Sequence, residues 1–233
     1  MTLERLNRHS GIWKTWWLSG FPCDRGMEGI IKKYRRLRPG IRDLIAYGWI
    51  GFWKWQSGAW GTVLFRLKAL FLGVECRGRV RCWGTVKLIR APLSRIAFGR
   101  NISIISDTYR ASASSLYAPT KIQTFNRTAR IEIGDNVGMN GASIVARSCC
   151  VKIGSNTMLA PNVVVMDSDF HAAWPPENRN CPSDNDRDVT IGENVWLGLG
   201  VIVLKGVAIG NNSIVGAGSI VTRNIPANVV AAG

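Results

Sequence analysis

A six-residue period constrains this chain more than any other feature. From Ile191, an aliphatic side chain returns at Leu197, Val203, Ile209, Val215 and Val221 without a gap. Four places after each stands a second small or aliphatic residue: Val195, Val201, Val207, Ser213, Ser219 and Ile225. An amphipathic helix repeats at 3.6 residues and a half-buried strand at two; six fits neither. A fixed short period means stacked copies of one unit. Six residues make a short strand and a turn, with glycines such as Gly192 and Gly210 where the backbone bends. Three units close a triangular coil of about eighteen residues, and stacked coils bury an aliphatic column that no single coil could bury alone.

Looser units precede this run: Phe98-Gly99 with Ile102 and Ile104, Ile133-Gly134 with Val137, Met139 and Val145, and Ile153-Gly154 with Leu159 and Val165. The pattern predicts an all-β repeat domain over residues 73–233. Residues 110–128 read as irregular. Residues 166–188, acid-rich and with three prolines, predict an excursion from the stack, and long loops on rigid scaffolds are where function concentrates.

The charge is unevenly divided. The net charge is +15, and residues 1–100 carry all of that excess, along with eight of the ten tryptophans. Residues 31–42 hold six basic residues and no acid, and an apolar, Trp-rich stretch follows to Leu72. Lys54, Arg66 and Lys68 interrupt that stretch, which disfavours a bilayer-spanning helix. Residues 1–72 are therefore expected to be a basic helical segment, lying as one or two helices on an anionic membrane surface with its tryptophans at headgroup depth. The alternative is that Trp49, Trp53, Trp60, Leu64 and Phe65 pack onto the repeat domain or a partner subunit. No nucleic-acid-binding motif accompanies the charge, so nucleic acid is not an expected partner. The six cysteines form no CxxC pair, and no secretory signal peptide leads the chain, so reduced thiols and a cytoplasmic setting, peripheral on the membrane's inner face, are expected.

Three segments, APNVVVMDSDFH, VTIGENVWLG and VGAGSIVTRNIPANVVAAG, resemble the hexapeptide-repeat, left-handed β-helix acyltransferases, in the maltose, galactoside and polysaccharide O-acetyltransferase branch. The resemblance covers roughly residues 130–233. It implies a homotrimer that takes acetyl from acetyl-CoA, without a metal, in clefts between neighbouring prisms. By it, His171 falls on the general base, and an imidazole titrating near neutrality can deprotonate a sugar hydroxyl. Asp167 and Asp169 could hold the other ring nitrogen or be turn-formers. Asn140 matches an acceptor-binding asparagine and Trp196 a tryptophan bordering the cleft. Gly198, Gly216, Ala217 and Gly218, with missing or minimal side chains, would let the pantetheine arm approach the backbone; Thr222 and Arg223, with Ala217, match positions that contact CoA. Ser148 stands where the family carries an acceptor-binding aspartate, so the small free sugars of its best-known members are not implied.

The expected function is O-acetylation of a sugar, specifically a lipid-linked precursor of a cell-surface polysaccharide or lipopolysaccharide. Two alternatives are N-acetylation of an amino sugar nucleotide and a non-catalytic scaffold at the membrane. A carbonic anhydrase on the same scaffold needs three histidine ligands, and the chain has two histidines in all.

Overall fold

The computed structural model describes residues 40–111, 114–172, 174–181 and 185–233. The basic run at 31–39 and the tryptophans before it lie outside the described residues. Residues 52–233 form one compact unit.

The six-fold period becomes a left-handed parallel β-helix with three sheets, all of whose strand pairs are parallel. The first sheet holds strands Glu75–Cys76, Arg95–Phe98, Arg130–Ile133, Cys150–Ile153, Val189–Ile191 and Ala208–Ile209. The second holds Val80–Trp83, Ile102–Ile105, Gly138–Asn140, Met158–Leu159, Trp196–Leu197, Ile214–Val215 and Val230–Ala231. The third holds Lys87–Ile89, Lys121–Thr124, Ser143–Ala146, Val164–Met166, Ile202–Val203 and Ile220–Val221. Every sixth aliphatic points inward: Ile191, Leu197, Val203, Ile209 and Val215 are at most 2% exposed.

Two excursions interrupt the coils. One is the expected loop after Met166, which returns to the stack at Val189. The other is shorter than the irregular stretch expected at 110–128. It runs over residues 106–120, and residues 121–124 are back in the third sheet, with Ile122 paired to Leu88 and Ile144.

An asparagine ladder that the aliphatic pattern did not reveal pins the edge between the first and second sheets. Asn101, Asn136, Asn156, Asn194, Asn212 and Asn228 all adopt positive φ, between 55° and 62°, a conformation that asparagine tolerates better than other side chains. Their amides bond from coil to coil, as in Asn194 Nδ2 to Asn212 Oδ1 at 3.0 Å and Asn212 Nδ2 to Asn228 Oδ1 at 2.9 Å.

Helix α1 is a single helix, Ile41–Phe71. It stops in a Schellman motif: Gly73 sits at φ +62°, its N–H reaches Leu70 O, and Val74 N–H reaches Ala69 O. Gly61, Phe65 and Ala69 are buried, and Phe65 meets Phe98 edge to face with ring centroids 5.4 Å apart. Thr62 exchanges hydrogen bonds with the Cys82 backbone, and Lys68 Nζ donates to Val86 O. The second half of α1 therefore belongs to the repeat body rather than to a separate N-terminal segment ending at residue 72. Of the residues weighed for packing there, Phe65 is buried, whereas Trp49, Trp53, Trp60 and Leu64 stay 40–62% exposed. No helix among the described residues is long and apolar enough to cross a membrane.

Candidate active site

The site residues fall on two edges of the prism. The edge between the second and third sheets carries Asn140, Gly198, Gly216, Ala217 and Gly218, with Trp196 beside it in the second sheet. The edge between the third and first sheets carries Asp167, Asp169, His171, Thr222 and Arg223. A third-sheet strand of two or three residues separates them, as in Val164–Met166, Ile202–Val203 and Ile220–Val221, a span of about 7–10 Å at roughly 3.3 Å per residue. One chain therefore holds its two sets at opposite sides of the same sheet.

His171 is exposed on the excursion. Its Nδ1 lies 3.0 Å from the carbonyl oxygen of Arg179. A carbonyl only accepts, so this contact places the ring proton on Nδ1 and leaves the Nε2 lone pair free. Phe170, just before it, sits at φ +64°, a conformation that costs a non-glycine residue about 1–3 kcal/mol. Its N–H donates to Ser168 Oγ at 2.9 Å, and its ring meets Phe125 at 5.3 Å, so the turn that presents the imidazole is held from two directions.

Neither aspartate takes the orienting role. Asp167 is fully buried and accepts the backbone N–H groups of Arg147 (2.7 Å), Ser148 (3.1 Å) and Cys149 (2.8 Å) from the previous coil. Asp169 pairs with Lys205 Nζ at 2.5 Å, tying the start of the excursion to the next coil. The partner that sequence reasoning missed is the Arg179 main chain, which carries no side-chain signal.

Asp186, on the returning limb, was also missed. Its side chain is 4% exposed, and Oδ2 accepts from Arg147 Nε at 2.7 Å and from Ser148 Oγ. Burial pushes its pKa up, but the hydrogen bonds from Ser148, Ser168 and Arg147 outweigh burial and hold the carboxyl below its ordinary value.

On the other edge, the Asn140 side-chain oxygen is buried with no hydrogen-bond partner, an acceptor still to be used. Trp196 is 39% exposed. Gly198 is buried, and a Cβ there would stand 2.6 Å from Ala217 N, so coil stacking already requires this glycine. Gly218, at φ +73° with open space around it, lies at the surface beside exposed Ala217. Thr222 and Arg223 are exposed on the histidine edge. Among the described residues, no three His, Cys, Asp or Glu gather as metal ligands would.

The model of the bacterial transferase hexapeptide (six repeats) family matches residues 188–223. Over 166 residues the chain is 34% identical to the Escherichia coli protein named "Putative lipopolysaccharide biosynthesis O-acetyl transferase WbbJ"; the match covers 64% of this chain and 84% of that one. It is 39% identical over 112 residues to the galactoside O-acetyltransferase of Escherichia coli, covering 47% of this chain and 53% of the relative. The structure of AntD, an N-acyltransferase from Bacillus cereus in complex with dTDP and 3-hydroxybutyryl-CoA, shares the fold with a TM-score of 0.53 at 14% identity, covering 72% of this chain and 83% of that one. The chain belongs to the hexapeptide-repeat acetyltransferases. It spans about half, or less, of the length of the galactoside O-acetyltransferases it matches.

Proposed function

We propose that the protein is an acetyl-CoA-dependent O-acetyltransferase acting on a saccharide, with His171 as general base. The observation that carries this reading is the Nδ1 contact to Arg179 O, which leaves Nε2 of an exposed imidazole as a free base. The acceptor hydroxyl gives its proton to Nε2 as its oxygen attacks the thioester carbonyl carbon. The carbon–sulfur bond breaks, and the CoA sulfur takes the proton back from the imidazolium. Because the two residue sets occupy opposite sides of the third sheet, the site is completed when a second copy brings its Asn140 and Gly198–Gly218 edge against the His171 edge, as a homotrimer allows. Two relatives, a galactoside O-acetyltransferase and a protein named as a putative lipopolysaccharide biosynthesis O-acetyl transferase, support a sugar acceptor.

His171→Ala tests the base. The side chain is exposed, so the variant should fold, assemble and bind CoA as the parent does, with turnover lower by about 10²–10⁴-fold. Undiminished turnover ends the proposal.

Helix α1 supports a place on the cytoplasmic face of an anionic membrane. Trp55 and Trp60 are 70% and 61% exposed, in a chain with a net charge of +15; such coincident aromatic and basic character suits a lipid interface. The full chain should float with phosphatidylserine vesicles and not with phosphatidylcholine, and less so as Trp55→Ser/Trp60→Ser. Equal partition of both proteins on both lipids rules this location out.

A further inference from the structure

We propose that the cleft beside the His171 coil binds an anionic group, carboxylate or phosphate, on the acceptor saccharide. This rests on the transferase reading above and names its substrate class. The cleft is shallow and open to solvent, with a volume of about 510 Å³, and is bordered by Leu93, Arg127, Arg130, Ser148, Cys149 and Asp188, a volume within the range of small-molecule sites.

Its position suits an acceptor. Ser148 and Cys149 give their backbone N–H groups to Asp167, at the root of the excursion that bears His171. The cleft thus lies on the histidine edge, toward the N-terminal coils. Thr222 and Arg223 lie on the same edge toward the C-terminal coils. A donor held at the latter and an acceptor held at the former approach the imidazole from opposite ends.

Its charge selects the ligand. A site for neutral sugar hydroxyls needs free carboxylates or amides. Among the residues bordering the cleft only Asp188 carries a carboxylate, and one of its oxygens takes the Cys150 N–H at 2.8 Å; Asp167, with both oxygens on three backbone amides, and Asp186, with Oδ2 engaged by Arg147 and Ser148 and Oδ1 buried without a partner, do not border it. The guanidiniums of Arg127 and Arg130 are exposed and form no ion pair among the described residues. Each guanidinium presents five donors in a planar fork that matches a carboxylate or phosphate two bonds at a time. The wall behind them is fixed, because Thr128 Oγ1 donates to Ser148 O at 2.7 Å and Ser148 Oγ is held by Asp186.

The test uses the full chain and three disaccharides: digalacturonate, maltose 1-phosphate and neutral maltose, each titrated by calorimetry with and without CoA and then assayed as acceptor. One or both anionic sugars should bind at least tenfold more tightly than maltose, and which of them does so separates a carboxylate from a phosphate ligand. Arg127→Gln/Arg130→Gln should raise the Kd and KM of the preferred anion at least tenfold and leave CoA binding within twofold; Arg127→Lys/Arg130→Lys should recover part of the loss. Maltose binding as tightly as both anions, or an unchanged anion Kd in the Gln variant, overturns the proposal while the transferase reading stands. Absence of CoA binding overturns the transferase reading, and the calorimetric comparison of the sugars still decides this one.

Discussion

Asp167 offers the sharpest perturbation, because two roles for it predict different losses. If it oriented His171, removing the carboxylate would reduce turnover and leave stability alone. The geometry says otherwise: both oxygens accept backbone N–H groups of Arg147, Ser148 and Cys149 at a site with no exposure. Leaving one buried donor unpaired costs about 1–3 kcal/mol. Three at one corner sum to more, reduced where water enters beside partly exposed Ser148, so Asp167→Ala should lose about 3–5 kcal/mol. Asp167→Asn keeps one accepting oxygen but turns its amide N–H groups toward backbone donors, and should lose about 2–3 kcal/mol. Against a typical total of about 5–15 kcal/mol, both changes are large. Urea unfolding followed by tryptophan fluorescence and far-UV circular dichroism measures them. If both variants unfolded within about 1 kcal/mol of the parent while turnover fell a hundredfold, the structural assignment would be wrong and the carboxylate would act on the imidazole.

Two further outcomes follow from the same geometry. Phe65→Ala should cost about 3–5 kcal/mol, because the ring is 1% exposed and packed against Phe98; Leu64→Ala, at a position 40% exposed, should change stability by no more than about 0.5 kcal/mol, and equal losses in urea would contradict the placement of α1. The folded pKa of Asp186 is depressed, so its contribution is complete above the ordinary carboxyl value of 3.8 and is lost as pH falls through the lower folded value. Acid titration of stability below about pH 4 should therefore be steeper in the parent than in Asp186→Asn, which should already be destabilised at neutral pH; parallel curves would count against the Arg147–Ser148–Asp186 cluster.

Much of the prism was legible because its driving force is local and periodic. A six-residue return of aliphatic side chains leaves one way to bury them all, and that gave the coils, the three sheets and the excursion after Met166. The asparagine ladder also has a sequence signature, Gly-x-Asn at Gly134–Asn136, Gly154–Asn156, Gly192–Asn194 and Gly210–Asn212, but apolar spacing carries no information about polar residues in turns. Helix α1 misled for the opposite reason. It is apolar on nearly all sides, so its sequence did not mark which face carries Phe65 and Ala69 into the core and which leaves Trp55 and Trp60 outside.

The candidate site divides in the same way. His171, Thr222 and Arg223 stand out in the sequence as candidates because side-chain type and motif spacing mark them, and the structure places all three on one edge. The partners of Asp167 and His171 do not stand out, since they are backbone groups: amides about twenty positions earlier and a carbonyl eight positions later. The sequence alone determined that this chain would coil into a stacked prism, because burial of a repeating aliphatic column admits no other period. Only the tertiary structure decided which residues share an edge, since each coil's length sets where the next one lands. It also made Asp167 a fastener of coils rather than a partner of the imidazole, because a buried carboxylate goes to whichever donors the stacking leaves unpaired.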